Sequence, residues 1–310
     1  MNTSTPPTLY RDYATYLREH FPYKVQKISL NARLSCPNRD GTIGYGGCIY
    51  CNNYSFAPSY TLGPGTIAEQ MQQGITFFSH KYPSMKYLAY FQAYTGTYGE
   101  TKQLIRMYEE ALEVPNVVGL IIGTRPDCVS RSLRDFLRER SRQTFIYIEY
   151  GLESTHDATL QRINRGHTFA QCCEAVEETV ADGIDCGIHL ILGLPGETPA
   201  DFEVHAQRVS DLPITSLKVH QLQILKRTAL ARMYAETPSV VTLYSPQEYI
   251  EHLARFVALL NPNIYLDRFV SQSPPDLLIA PKWNIKNYIF THQFQKYLRE
   301  HNLSQGCLRR

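Results

Sequence analysis

Residues 34–53 read LSCPNRDGTIGYGGCIYCNN, and the rest of the chain is organised around this stretch. It holds Cys36, Cys48 and Cys51, three of the chain's eight cysteines, in a loop rich in Gly, Asn and Asp. Eleven residues separate the first pair and two separate the second. A Cys-x-x-Cys pair brings two sulfurs to one metal centre, and the third approaches over a flexible loop. Soft thiolates of this kind hold zinc or an iron–sulfur cluster. A structural zinc site closes with a fourth nitrogen or sulfur ligand, and no Cys or His lies between Pro58 and Ser79. Three protein ligands on a four-iron cluster would instead leave one iron open to a substrate or cofactor.

Outward from this loop, strand-like runs occur at 25–30, 87–94, 117–123, 145–150, 184–192 and 217–225. Helix-period segments lie between and around them, at 11–20, 66–80, 100–113, 131–140, 169–181, 199–210, 246–260 and 288–298. Strands alternating with helices predict an α/β fold with a parallel sheet. Six β/α units at even spacing fit a partial (β/α)6 TIM-like barrel, although a doubly wound sheet would give the same alternation. In such barrels the active site gathers at the C-terminal ends of the strands. The unusual residues fall there: the cysteine loop, Gln92–Gly96, Gly123–Asp127, Glu149–Ser154 and Gly193–Glu197. The expected division is an N-terminal extension over 1–23, a core over 24–262 and a C-terminal extension over 263–310 that closes one side of the barrel.

Composition narrows the class. A chain of 310 residues with 43% hydrophobic content buries a sizeable core. No apolar run reaches the length of a membrane span, and residues 1–10 lack the order of a signal peptide. A cytoplasmic protein with reduced thiols is therefore expected, and no membrane partner. The net charge of +2 makes no overall case for nucleic acid, so any RNA site would be a local patch.

Cys48-Ile-Tyr-Cys51, with an aromatic before the last cysteine, resembles the cluster signature of radical S-adenosylmethionine enzymes. The gap before Cys48 is longer than the usual three residues, as in the branch related to the catalytic subunit of Elongator. The full run CPNRDGT…GGCIYC is similar to the bacterial YhcC/YtqA-like radical SAM proteins of that branch. The resemblance implies a [4Fe–4S] cluster on Cys36, Cys48 and Cys51 that cleaves S-adenosylmethionine reductively to a 5′-deoxyadenosyl radical. It also implies a flavodoxin- or ferredoxin-type electron donor. Tyr50 would pack beside cluster and adenine, or simply fill a hydrophobic turn. Gln92, Tyr94, Thr95 and Gly96 stand where the family contacts the cofactor's amino group, and plain loop chemistry is the other reading. Glu149 would accept from ribose hydroxyls, or end a strand in a salt bridge; Glu153 is a further candidate. Arg165 would pair with the cofactor's carboxylate, a bidentate task that Lys performs less well, with Arg162 as competitor. His167 reads as a cap or turn residue. Gly193-Leu-Pro-Gly196 would pass under the adenine; it lacks the Lys-Ser/Thr of a P-loop, and Glu197-Thr-Pro caps the next helix.

Arg125, Asp127, His189, His220, Gln223, Lys226 and Arg227 are polar groups at or past strand ends, each more readily a satisfied strand-end residue than a substrate contact. Cys128, Cys172, Cys173, Cys186 and Cys307 lack ligand spacing, so a second cluster is not expected. By resemblance, the substrate is the wobble uridine of tRNA. No acetyltransferase half accompanies the core and no second cysteine triad is visible, so neither acetyl-CoA chemistry nor methylthiotransfer is implied. The rivals are a radical SAM enzyme acting on a small molecule or peptide, and a zinc-held RNA-binding protein without catalysis.

Overall fold

The apolar runs that end in polar turns become the strands of one parallel sheet. The computed structural model describes residues 8–55, 57–79 and 84–309. Residues 1–7 of the expected N-terminal extension and His80, the end of the expected helix 66–80, lie outside the described residues. The strands are β1 (Val25–Leu30), β2 (Lys86–Phe91), β3 (Val117–Thr124), β4 (Phe145–Glu153), β5 (Asp185–Leu192), β6 (Ser216–Gln221), β7 (Ile224–Leu225), β8 (Tyr265–Arg268) and β9 (Leu278–Ala280). The main sheet runs β1-β2-β3-β4-β5-β6-β8, every pair parallel. Its helices are α1 (Tyr13–His20), α2 (Ile67–Ser79), α3 (Thr101–Glu113), α4 (Arg131–Ser141), α5 (Asp157–Arg162), α6 (Phe169–Ala181), α7 (Pro199–Ser210), α8 (Ala229–Glu236), α9 (Pro246–Leu259) and α10 (Asn287–Glu300).

The expected partial barrel is present, with one strand more than the six β/α units predicted. The expected last strand breaks after Gln221; β7 leaves the sheet and pairs antiparallel with β9. The seventh place is taken by β8, inside the segment expected to be a C-terminal extension. A four-residue strand of sequence YLDR has too few apolar positions to stand out by periodicity.

Alternation assigns the two faces of each strand. Tyr87, Ala89 and Phe91 of β2, Ile146, Ile148 and Tyr150 of β4, and Leu217 and Val219 of β6 pack in the main core with Met71, Leu104, Leu133, Val176, Phe202 and Leu253 of the helices. The opposite residues face the concave side. At its N-terminal end that space is filled by Leu88, Tyr90, Ile121 and Tyr147 against Tyr13 and Tyr16 of α1, with Tyr265. The extension thus acts as an aromatic plug. Arg11 and Asp12 also cap the open edge of β8, where Leu266 N–H donates to Arg11 O at 2.8 Å. What remains open is the C-terminal end of the strands.

Candidate functional site

The loop after β1 is pinned before any side chain is considered. Arg39 N–H donates to Cys36 O at 2.8 Å, Gly47 N–H to Asn38 O at 2.8 Å and Cys51 N–H to Cys48 O at 3.0 Å. Ile49 N–H reaches Ile163 O at 3.0 Å, and Asn164 Nδ2 donates to Gly47 O at 2.9 Å, so the turn after α5 holds the loop from outside. Cys36, Cys48 and Cys51 consequently line one cavity at the strand ends. Nitrogen donors converge on two of the sulfurs. Asn38 Nδ2 and Arg165 Nη1 each lie 3.6 Å from Cys48 Sγ, and Asn53 Nδ2 lies 3.5 Å from Cys51 Sγ. Burial, then the neighbouring Cys48, pushes the Cys51 thiol up to about 12. Buried thiols so close together ionise comfortably only when a cation shares the site. Every cysteine of the described chain is free.

Most of the expected site residues face the same cavity: Tyr50, Gln92, Tyr94, Thr95, Glu149, Glu153 and Arg165. Arg165 is 7% exposed; its Nε and Nη2 donate to Gly151 O at 3.2 and 2.5 Å, and Glu153 lies 3.8 Å away. Arg162 does not compete for this place, since its Nη1 donates to Pro195 O at 2.8 Å and holds the loop after β5. Gln92 accepts from Ser29 Oγ at 3.1 Å. Tyr94 adopts a left-handed φ of 59° and its N–H donates to Asn53 Oδ1 at 2.9 Å, tying the second strand end to the cysteine loop. Thr95 is 1% exposed and its hydroxyl has no hydrogen-bond partner, an orphan polar atom in a cavity-lining residue. Gly96 serves packing: a Cβ there would stand 2.7 Å from Gly123 O.

Other expectations divide between those the structure meets and those it corrects. Of its two readings Glu149 takes the salt-bridged one, from within β4 rather than at its end, so its carboxylate is not free for a ribose. Its carboxylate, 2% exposed, receives Lys218 Nζ at 2.7 Å, Tyr90 Oη at 2.5 Å, His189 Nε2 at 3.0 Å and Lys27 Nζ at 3.3 Å. Burial opposes its charge, yet Lys218 and Lys27 hold the carboxyl well below the usual range. Gly193 has a φ of 90° and forms the turn after β5, while Ile191 rather than Gly193 lines the cavity. Thr198 caps α7 with Asp201 and Pro199, whereas Glu197 turns inward to accept from Ser154 Oγ at 2.6 Å. Of the two readings of His167 the turn holds: it lies in the bend before α6, whose N-cap is Thr168; buried, its Nε2 lies 3.2 Å from Gly151 O, and burial followed by Arg165 pushes its pKa down to about 3. Arg125 and Asp127 pair with each other at 2.7 Å.

Sequence reasoning passed over the layer beneath the cavity. Lys27 of β1 bonds Asp267 of β8 at 2.9 Å, and Lys218 of β6 lies 3.3 Å from the same carboxylate. These groups join the first and last strands across the concave side. A single charge amid apolar strand residues was the available signal, but its partners lie 240 residues apart in sequence.

The donor set suits a thiolate-ligated cluster with a polar cofactor beside it: three soft ligands, N–H donors aimed at sulfur, a buried guanidinium and an orphan hydroxyl share one cavity. Residues 40–209 match the family described as the Radical SAM superfamily, and residues 214–300 match the Radical_SAM C-terminal domain. The chain is 36% identical over 296 residues to Protein YhcC of Escherichia coli (strain K12), covering 95% of this chain and 94% of that one. It is 32% identical to the uncharacterized protein YtqA of Bacillus subtilis (strain 168), covering 94% and 90%. To the tRNA uridine(34) acetyltransferase of Methanocaldococcus jannaschii it is 21% identical over 201 residues, covering 62% and 35%. The archaeal Methanocaldococcus infernus Elp3 shares the fold, with a TM-score of 0.67 at 16% identity over 91% of this chain; the chain spans 64% of that protein's length.

Proposed function

The chain belongs to the radical SAM superfamily, and from that premise we propose that it is an enzyme modifying the side chain of the wobble uridine in tRNA. The observation that carries the catalytic part is the convergence of Cys36, Cys48 and Cys51 with Thr95 and Arg165 on one cavity. These residues would hold a [4Fe–4S] cluster and S-adenosylmethionine. When bound, the pair supplies reductive cleavage of the sulfonium bond and a 5′-deoxyadenosyl radical, with the electron coming from a flavodoxin- or ferredoxin-type protein.

The chain's own residues do the positioning. Asn38, Asn53 and Arg165 donate to the thiolates and offset their charge. Arg165, anchored on Gly151 O, keeps Nη1 toward the cysteine loop, where a cofactor carboxylate would meet it. Thr95 offers a hydroxyl to a polar group of the cofactor. Tyr50, partly buried against the loop and lining the cavity, would keep water from the reacting centre.

The tRNA part rests on the likeness to the uridine(34) acetyltransferase and on the outer side of the cysteine loop. There Arg39, Arg227 and Arg232 share a second hollow with Tyr45 and Tyr54, which are 80% and 62% exposed. Cations interleaved with exposed aromatic rings suit a nucleic-acid loop, by phosphate pairing and base stacking. The test begins with protein reconstituted with iron and sulfide without oxygen, reduced, and assayed for 5′-deoxyadenosine beside Cys48→Ala. Turnover abolished in the variant supports the catalytic reading, and a colourless, zinc-containing protein without turnover refutes it. Under-modified tRNA is then added. Binding at low salt that weakens steeply with salt, with mass loss or gain on the wobble nucleoside, supports the substrate; no binding at low salt excludes it.

A further inference from the structure

The ionic layer beneath the cavity does not balance. Three basic side chains, Lys27, Lys218 and Arg268, stand beside two carboxylates, Glu149 and Asp267. The lysines share both carboxylates between them, at 2.7 to 3.3 Å. Arg268 lines the cavity, and its side chain makes no direct hydrogen bond or ion pair with a described residue; the carboxylate it feels, Asp267, is already bound by both lysines. A half-buried guanidinium whose neighbouring carboxylate is already shared by two lysines keeps the capacity to bind a further anion, which would repay its desolvation.

Its direction is built into the backbone. In the β6–β8 ladder Leu217 faces Leu266, but Lys218 faces Arg268, so Asp267 is an extra residue on β8. A bulge of this kind breaks the alternation and re-aims side chains. Asp267 reaches the lysines while the next residue, Arg268, still borders the cavity. The segment that follows is clamped. Gln221 and Gln223 both donate to Ser271 O at 3.0 Å, Ser271 N–H returns to Gln221 Oε1 at 2.7 Å, and Ser273 Oγ donates to Gln223 Oε1 at 2.7 Å. The amide groups near Arg268 are spent on holding its strand end. His189 and His220, with rings 5.8 Å apart, border the same region, and burial lowers the proton affinity of both.

We infer that Arg268 anchors an oxyanion of the substrate, a carboxylate or a phosphate, and so seats the substrate on the β6–β8 side of the cavity. The inference rests on the reading that this cavity takes the substrate, and it places Arg165 and Arg268 on different anions. Guanidinium is suited to the task by its paired donors.

The test uses reconstituted, S-adenosylmethionine-saturated protein in acetate, inorganic phosphate or chloride at equal ionic strength, with thermal midpoint as the readout. Uridine 5′-monophosphate against uridine forms a second comparison. The expected result is a midpoint raised by acetate, phosphate or both over chloride, a shift lost in Arg268→Gln and reduced in Arg268→Lys, with anion affinity weakened about tenfold in the Gln variant. A response to acetate alone identifies a carboxylate; a response to phosphate and the monophosphate alone identifies a phosphate. No shift in the wild type overturns the inference, as does a full shift in Arg268→Gln. Should the Gln variant not fold, an undiminished shift in Arg268→Lys overturns it. So does a loss of S-adenosylmethionine affinity in either variant, which would assign Arg268 to the cofactor. Acetate and phosphate do not depend on tRNA. Anion capture without tRNA binding would therefore remove the tRNA reading alone, and tRNA turnover indifferent to Arg268→Gln would remove the subsite alone.

Discussion

At the scale of single residues, side chains outside the cysteine set aim N–H groups at the sulfurs. Asn53 donates from Nδ2 to Cys51 Sγ at 3.5 Å while its Oδ1 accepts from Tyr94 N–H at 2.9 Å. Asn53→Asp keeps the acceptor, removes the donor and adds a negative charge beside the sulfur. Both changes favour the oxidised cluster, and about 1 kcal/mol of such bias corresponds to about 40 mV for one electron. The midpoint potential of the reconstituted variant is expected to fall by at least that order in an anaerobic redox titration; an unchanged or higher potential would count against N–H···S tuning. Cysteine spacing is local, so the three thiols were legible in sequence, as was Arg165 through its motif. Asn38 and Asn53 lay inside the same twenty-residue stretch and were not, because aiming an amide at a sulfur depends on the loop's conformation. Glu149 was misread for a related reason: nothing near it in sequence announces Lys27 and Lys218, which come from other strands.

At the scale of elements, the end of β4 decides where Arg165 points. Gly151 pairs with His189 and Glu153 with Leu190, so Leu152 is an extra residue and β4 bulges there. Glu153 then takes a left-handed φ of 74°. The bulge presents Gly151 O to Arg165, and a Cβ on that Cα would stand 2.6 Å from Arg165 Nη2 and 2.7 Å from Glu153 Oε1, so those side-chain ends would have to shift. Gly151→Ala must push the guanidinium away from Cys48, at an overpacking cost of about 1–3 kcal/mol. The expected outcome is a lower urea midpoint together with weaker S-adenosylmethionine binding in equilibrium titration. Gly63→Ala, where a Cβ meets nothing within 4 Å, should leave both in place. An unaltered Gly151→Ala protein would mean that the bulge does not position Arg165. The bulges of β4 and β8 were both invisible in sequence, whereas the apolar runs of β2 and β5, buried on both faces, were plain. One extra residue in a ladder leaves composition and periodicity almost untouched while redirecting the side chains that follow.

Across the whole molecule, the concave side of the sheet is stacked in three layers: an aromatic plug from α1, a charged layer joining β1 to β8, and the cavity with its cysteines. Burial first, then Arg165 for His167, Lys218 for His189 and Arg268 for His220, depresses each ring's affinity for protons. In the unfolded chain each ring takes up a proton near about pH 6.5. The unfolded state therefore binds more protons below that pH. The stability these rings contribute is full above about pH 6.5 and is lost as the pH falls, at up to about 1.4 kcal/mol per unit for each ring. For His167 the loss continues down to about 3. Glu149, Asp267 and Asp127 are also depressed, but as carboxylates they matter only below about pH 4.5, where their unfolded forms begin to protonate. The interval from about pH 6.5 to about pH 4.5 thus isolates the histidines. Urea unfolding of the reduced, metal-free chain across that interval should show free energy falling with pH, more steeply than a chain whose histidines titrate normally. His167→Asn should be less stable at neutral pH yet flatter by up to about one proton's slope. A slope identical to wild type would mean that His167 takes its proton in the folded state, which the guanidinium of Arg165 beside it opposes.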